Sequence, residues 1–141
     1  QMLTMRGVGF ARRSKGETPT ADTPVYLADT LGEMDHWYAM AGATLIGGSF
    51  APKGGHTPWE PAAHGSAILH GPSLHNFAAA FAALDRAGGA VALPDLAGLA
   101  AALNGLDADR QTRLSQAAKA ALRATDNGDA VVARLLQAIR G

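Results

Sequence analysis

The strongest constraint on the fold is a regular alternation between short apolar runs and longer segments with helical periodicity. Five runs are predicted strands: GVGFA (7–11), VYLA (25–28), ATLIGG (43–48), AILHG (67–71) and AVAL (90–93). The ATLIGG run shows no polar alternation, which is typical of a strand buried on both faces of a parallel sheet. Helical patterns lie between these runs at GEMDHWYAMAG (32–42), PWEPAAHG (58–65) and HNFAAAFAALDRAGG (75–89). The alternation predicts an α/β fold with a Rossmann-like parallel sheet built from right-handed βαβ units.

Glycines mark the predicted helix ends, and the C-terminal part of the chain is predicted to be helical throughout. Gly42 and the pair Gly88-Gly89 stand where a helix C-cap is expected. From Asp95 onward three helical patterns follow, at 95–105, 107–125 and 128–140. The last carries one apolar stripe, which is typical of core packing, formed by Val131, Val132, Leu135, Leu136 and Ile139.

Length and composition exclude several classes of protein. A chain of 141 residues suits one domain, and 12 basic against 12 acidic side chains argue against a general nucleic-acid binder. The absence of cysteine excludes a disulfide frame and a thiolate zinc site. Apolar stretches are broken well before the roughly 20 residues that a membrane span needs, and no signal-peptide pattern opens the chain. The chain begins QMLTMRGVGF without an initiator methionine, so we expect a fragment.

The segment GGSFAPKGGHTPWEPAAHG (47–65), directly after the predicted strand ATLIGG, is the main candidate site. Ligands of parallel α/β sheets bind beyond the carboxyl ends of the strands. The glycines allow the backbone to approach a ligand closely, Gly54 and Gly55 among them. A helix predicted to begin near Thr57 and Pro58 would offer free N–H groups to a phosphate.

Three charged or titratable side chains complete this segment. Glu60 falls in the first helical turn, where its carboxylate can accept hydrogen bonds from sugar hydroxyls, and Lys53 and His56 can add positive charge beside a phosphate or carboxylate. Together they outline a nucleotide-sugar site. The alternatives stay open: the glycines can form tight turns only, Glu60 can complement the helix dipole, and Lys53 and His56 can be a solvated charge and a packing histidine.

Other chemistries fit this segment less well. The residues His56, Glu60 and His64 are spaced by four, as metal ligands on one helix face would be. Pro58 and Pro61 restrict the helix to a short piece after His56, so we predict no metal site and no cofactor. The segment lacks the Gly-Lys-Ser/Thr of a phosphate-binding Walker loop and the Gly-x-Ser-x-Gly of a hydrolase elbow.

A second candidate cluster, LADTLGEMDHWY, follows the predicted strand VYLA. Thr30 and Glu33 have the spacing of a capping box at a helix start. The alternative is that Leu31, Gly32 and Glu33 present backbone groups and a carboxylate to the same ligand from a neighbouring loop.

The stretch DTLGEMDHWYAMAGATLIGGSFAPKGGHTPWEPAAHGSAILHGPSLHNF resembles the C-terminal domain of the 3-deoxy-D-manno-octulosonic acid (Kdo) transferases of lipopolysaccharide synthesis. The motifs usual in that family are close to DTMGEL, GGSL, GGHNPLEPA, GP and NF, in this order. The match runs from about RRSKGETP through NFAAAFAALDRAGGAVAL, more than half of the chain.

The resemblance implies the C-terminal half of a GT-B glycosyltransferase, which holds the donor CMP-Kdo. Such enzymes transfer Kdo with inversion to a lipid A precursor at the cytoplasmic face of the bacterial inner membrane. Carried over by position, the CMP-contacting residues are Leu31, Gly32 and Glu33, then Thr57, Pro58, Trp59 and Glu60, with Glu60 on the ribose. Candidate contacts to the donor phosphate or carboxylate are Lys53, Gly54, Gly55 and His56.

Two residues depart from the family pattern, and one domain is expected to be missing. Thr57 replaces an asparagine and Trp59 replaces a leucine, and Trp59 can stack near the base or pack between helix and sheet. The resemblance places the catalytic carboxylate and most of the acceptor site in an N-terminal domain. We therefore expect residues 1–141 to be one N-terminally truncated donor-binding domain, soluble and inactive alone. The alternatives are a domain for a UDP- or GDP-sugar, or a folded fragment without binding activity.

Overall fold

The structure is a computed structural model that describes residues 2–125 and residue 137. The chain divides into two compact units, residues 1–34 and residues 35–141. The predicted apolar stripe from Val131 to Ile139 lies outside the described residues. Among the residues that are described, no helix is long and apolar enough to cross a membrane.

The first unit is built around two short parallel strands. Helix α1 (Met2–Met5) precedes strand β1 (Ala11–Arg12), and strand β2 (Tyr26–Leu27) pairs with β1 so that Ala11 faces Tyr26. A single 3-10 turn, Arg13–Lys15, opens the polar connection between the strands. Of the predicted strand at 7–11 only its last residue is in β1, because the glycines at positions 7 and 9 favour irregular backbone.

The second unit holds a three-stranded parallel sheet in the order β3-β4-β5. Its strands are β3 (Ala43–Leu45), β4 (Ala67–His70) and β5 (Ala90–Ala92). Thr44 pairs with Ile68, which pairs in turn with Ala90. The central strand β4 is buried at every residue, including His70 at its end. The edge strand β3 is only half-buried, with Leu45 exposed, so the prediction of a strand buried on both faces at 43–48 is wrong for β3.

Helices follow the strands in the predicted order. They are α2 (Met34–Met40), α3 (Trp59–Ala63), α4 (Ala78–Ala87), α5 (Leu99–Asn104) and α6 (Ala108–Thr125), with 3-10 turns at His75–Phe77 and Leu96–Gly98. Gly88 ends α4 in the left-handed conformation, as predicted, with φ of 63°. By contrast α2 ends at Met40, so the predicted cap at Gly42 is wrong.

The core of the second unit forms where α3, α4 and α6 cover β4. Its buried side chains are Ile46, Ala62, Ile68, Ala80, Phe81, Leu84, Ala118 and Leu122. Small residues let α6 lie directly on the chain before β5: a Cβ on Gly89 would stand 2.7 Å from the backbone nitrogen of Ala118. The α/β fold with parallel strands and a helical C-terminal region is confirmed.

Candidate functional site

The glycine loop, residues 47–56, leaves the carboxyl end of β3, where the sequence places the candidate site. Its two ends are joined because the N–H of His56 donates to the carbonyl of Gly47 at 3.1 Å. The preceding residue, Ile46, is buried and continues the sheet by donating its N–H to Leu69 at 2.9 Å. The loop therefore grows out of the rigid centre of the second unit.

Ser49 ties the glycine loop to the segment that follows β4. Its side chain is fully buried, and its hydroxyl donates to the carbonyl of Ile46 at 2.6 Å while accepting from the N–H of Gly71 at 2.9 Å. The N–H of Ser73 also donates to the carbonyl of Ser49 at 2.9 Å. One small polar residue thus joins the ends of two neighbouring strands.

Asn76, in the 3-10 turn before α4, clamps the far side of the same loop. Its side-chain amide donates to the carbonyl of Lys53 at 2.9 Å and to that of Gly55 at 3.3 Å. Its backbone N–H donates to the carbonyl of Gly54 at 3.2 Å, and the N–H of Gly54 donates to the Ser73 hydroxyl at 3.2 Å. The backbone from 53 to 55 is therefore bonded on both sides.

Two glycines are required by close approach, and one of them, Gly54, is required by its conformation as well. Gly54 has φ of +81°, and a Cβ there would stand 2.6 Å from both the Asn76 side chain and the ring of His75. At Gly71 a Cβ would stand 2.4 Å from the carbonyl oxygen of Ser49. The glycines serve packing within the protein, beyond the tight-turn role that the sequence left open.

The charged side chains carried by this loop face solvent. Lys53, His56 and Glu60 are all exposed, whereas the backbone of Gly54 and Gly55 between the first two is buried. Glu60 lies in the first turn of α3, as predicted. Its negative charge, together with burial as the larger cause, raises the pKa of the Tyr38 hydroxyl.

The start of α3 differs in detail from the expectation. The helix begins at Trp59 with Pro58 at its N-cap, and the Thr57 hydroxyl lies 3.4 Å from the N–H of Trp59. Pro61 is tolerated because the N–H groups of a first turn have no intrahelical partner. A helix of five residues aligns few peptide dipoles, so phosphate binding here would depend on loop amides more than on a dipole.

Trp59 packs against neighbouring helices. Its ring meets that of Phe77 edge-on, with centroids 5.8 Å apart. Together with Ala62 and Ala63 it also lines a groove whose other side is formed on α6 by Lys119, Leu122 and Arg123. These contacts favour the packing role over base stacking.

His56, Glu60 and His64 do not share one helix face, as the two prolines predict. His56 precedes α3, which spans only Trp59–Ala63, and His64 follows it as the C-cap. The His64 ring instead lies 3.2 Å from a carboxylate oxygen of Asp35. Within the described ranges, no group of three His, Cys, Asp or Glu side chains could hold a metal ion.

Leu31, Gly32 and Glu33 lie in the first unit. Leu31 is fully exposed, and Gly32 has φ of +81° with open space around it. The Glu33 carboxylate accepts from Arg13, with Nη2 at 2.6 Å and Nε at 3.0 Å, and from the Thr30 hydroxyl. This bidentate pairing raises the pKa of the Arg13 guanidinium.

The predicted capping box is wrong, since α2 begins at Met34 and Thr30 bonds to the Glu33 side chain. A further polar contact in this unit involves Asp29, which accepts from the backbone N–H and the hydroxyl of Ser14 at 2.9 and 2.8 Å. The Ser14 N–H, and then its hydroxyl, lower the pKa of the Asp29 carboxyl.

Sequence reasoning missed the residues that hold the loop, chiefly Ser49, Ser73 and Asn76. Their only signal was that the serine of GGS and the asparagine of HNF belong to the motifs that carry the family resemblance. Arg13 gave no signal, because a pairing across 20 positions has no local pattern.

The fold and the loop define the class of Rossmann-like α/β domains, in which a glycine loop follows the carboxyl end of a parallel strand. No protein-family model matches the chain. A 3-deoxy-D-manno-octulosonic acid transferase of Bordetella pertussis is 42% identical over 94 residues, which are 66% of this chain and 22% of that protein. A probable mitochondrial 3-deoxy-D-manno-octulosonic acid transferase of Arabidopsis thaliana is 39% identical over 87 residues, 60% of this chain and 20% of that protein.

A solved structure is similar over most of the chain. It is the C-terminal CMP-Kdo binding domain of WaaA from Acinetobacter baumannii, with a TM-score of 0.77 and 28% identity over 86% of this chain and 64% of that one. The resemblance to the C-terminal domain of the Kdo transferases is thereby confirmed. The matched parts of the two transferases span about a fifth of their lengths.

Proposed function

We propose that this chain is the donor-binding domain of a glycosyltransferase that moves Kdo from CMP-Kdo. The observation that carries the proposal is the construction of the glycine loop: hydrogen bonds from Ser49 and Asn76 fix its backbone, while Lys53 and His56 on the loop and Glu60 on α3 stay exposed. A loop built this way presents charged groups without having to order itself on binding. The similarity to a CMP-Kdo binding domain supports the choice of ligand.

The roles of the second unit follow from its chemistry. We propose that Lys53 and His56, with the loop backbone at Gly54 and Gly55, contact the phosphate or the carboxylate of the donor. Glu60 accepts hydrogen bonds from the ribose hydroxyls, since an exposed carboxylate is an acceptor only. Thr57, Pro58 and Trp59 contact CMP as well, and we assign the backbone of Trp59 to that contact because its ring packs on Phe77.

The segment Leu31, Gly32 and Glu33 is proposed to contact CMP as well. Because the Glu33 carboxylate binds Arg13 and Thr30, we assign the backbone of this segment to the ligand and the side chain to holding the segment in shape. The exposed Leu31 and the open space beside Gly32 are compatible with that assignment.

For the longer protein we propose a GT-B enzyme that transfers Kdo with inversion to a lipid A precursor. It would act at the cytoplasmic face of the bacterial inner membrane. Residues 1–141 would act as one donor-binding domain without metal or cofactor. The general base and the acceptor site would come from an N-terminal domain, so this chain alone would be soluble and inactive.

The test is an NMR titration of the 141-residue chain with CMP, with UMP as the control nucleotide. We expect amide shifts at Leu31–Glu33 and at Thr57, Trp59 and Glu60 with CMP, smaller shifts with UMP, and loss of most of the response in Glu60→Ala. Glu60→Gln is the matched variant, since it keeps the size and removes the charge. Stronger shifts with UDP or GDP would favour another GT-B enzyme, and a cooperative melt without any nucleotide response would contradict the proposal.

A further inference from the structure

His70, the last residue of β4, is buried, and each of its ring nitrogens has an oxygen acceptor at hydrogen-bond distance. Only 2% of it is exposed. Its Nε2 lies 3.0 Å from a carboxylate oxygen of Asp85 on α4, and its Nδ1 lies 3.0 Å from the carbonyl oxygen of Gly71. The ring also packs on Phe81, with centroids 5.0 Å apart, and the carbonyl of His70 accepts from Leu93 of the neighbouring strand. The ring is therefore held from several sides.

The bonds of His70 and Ser49 fix the two peptide groups on either side of Gly71. The N–H of Gly71 donates to the Ser49 hydroxyl at 2.9 Å, and the carbonyl of Gly71 faces His70 at 3.0 Å. Glycine has the widest choice of backbone conformation of any residue. No larger residue fits here, because a Cβ would stand 2.4 Å from the Ser49 carbonyl oxygen. Gly71 has no Cβ to limit its backbone angles, so the contacts with Ser49 and His70 limit them instead.

The orientation of Gly71 matters for the glycine loop because Ser73 follows two residues later. Ser73 donates its N–H to Ser49, and its hydroxyl accepts from the N–H of Gly54. A rotation of the peptide after Gly71 would move Ser73 and release that contact to Gly54.

We propose that the Asp85–His70 pair is a positioning element of the donor site, which sets the glycine loop by holding the peptide between Gly71 and Pro72. This inference rests on the proposed function for its ligand. Both partners are acceptors, so the two contacts are hydrogen bonds together when both ring nitrogens carry a proton: Nε2–H then donates to Asp85, and Nδ1–H donates to the Gly71 carbonyl.

The test compares variants that keep or remove single ring contacts. His70→Phe keeps a ring against Phe81 but has no nitrogen. His70→Asn keeps a donor near the Nδ1 position, and His70→Gln keeps one near the Nε2 position. We measure amide hydrogen exchange at Gly71, Ser73 and Gly54 without ligand, and the CMP dissociation constant by NMR.

We expect His70→Phe to speed exchange at these amides and to weaken CMP binding by about fivefold, the effect of losing one hydrogen bond. In His70→Asn both the exchange rates and the CMP affinity should return most of the way to the wild-type values. In His70→Gln the return should be smaller. Rescue by the variant that keeps the Gly71 contact is a result that a purely space-filling histidine would not give.

The proposal would be overturned if His70→Phe had the same amide exchange rates and the same CMP affinity as the wild type. Should that variant lack a cooperative melt, Asp85→Ala decides by the same measurements, because the Asp85 side chain is 44% exposed and its loss should be tolerated. A wild-type chain that does not bind CMP would refute the proposed function, while the exchange measurements would still decide whether the pair positions the loop.

Discussion

Replacing Gly54 by alanine should be the most damaging small substitution in the glycine loop. At φ of +81° a residue with a Cβ is strained, at a cost of about 1–2 kcal/mol. The added Cβ would also stand 2.6 Å from the Asn76 side chain. Asn76 must then move, and its hydrogen bonds to Lys53 and Gly55 are lost at about 1 kcal/mol each.

The expected loss of unfolding free energy in Gly54→Ala is the sum of these effects, about 3–4 kcal/mol. That is a large share of the roughly 5–15 kcal/mol by which domains of this size are stable. Gly65→Ala is the matched control, because Gly65 has φ of +80° and its added Cβ would meet only Lys119 Nζ at an ordinary 3.6 Å. In Gly65→Ala the unfolding free energy should fall only by the strain of a positive φ, about 1–2 kcal/mol.

The assay is urea unfolding followed by tryptophan fluorescence, since Trp37 and Trp59 both lie in the second unit. Linear extrapolation gives the free energy of unfolding for the wild type and both variants. CMP titration of Gly54→Ala should show weaker binding as well. Equal destabilisation by the two substitutions would refute the reasoning, because it would mean that Asn76 adapts to the Cβ at no cost.

Three further predictions concern single contacts. Ser49→Ala removes the buried acceptor of the Gly71 N–H and should cost about 1–3 kcal/mol in urea unfolding, and a loss well below this range would argue against the tie between the two strand ends. The pKa of Asp29 is lowered in the folded state, so its carboxylate stabilises the first unit at pH values above the usual pKa of about 3.9. This stabilisation is lost as the pH falls through the lowered pKa. Asp29→Asn should remove this dependence on acid. The Ser14 amide shift followed against pH tests this, and an unchanged titration in the variant would contradict it. Trp59→Leu should cost about 1 kcal/mol through the lost contact with Phe77 and leave CMP affinity unchanged, whereas a clear loss of affinity would support base stacking.

The order of strands and helices could be predicted from sequence because it depends on local periodicity. The strand predicted at 67–71 is β4, and the glycine stop predicted at Gly88 is the left-handed end of α4. The burial predicted for the run at 43–48 is wrong, because β3 lies at the edge of the three-stranded sheet and none of its residues is fully buried. The cap at Gly42 failed because α2 ends two residues earlier, at Met40. The residue types at the end of a helix do not determine at which residue the helix ends.

The candidate site was predictable in position but not in its means of support. That the glycine segment follows β3 and that Glu60 enters the first turn of α3 depend on neighbouring residues only. The bonds from Ser49 to Gly71 and from Asn76 to Lys53 join positions 22 and 23 residues apart. Such pairs are set by strand order and register, which no local pattern contains.

These long-range bonds change what the glycines of the loop are for. Glycine-rich sequence suggests mobility, yet Gly54 and Gly55 are buried and bonded to Ser73 and Asn76. A loop that must be ordered on binding loses part of its affinity to conformational entropy, whereas a loop fixed beforehand does not. Glycine is then needed at Gly54 because a Cβ there would stand 2.6 Å from Asn76, and at Gly55 because φ is +71°. We therefore expect the amides of residues 53–55 to exchange slowly even without nucleotide, and fast exchange there would mean that the loop orders only on binding.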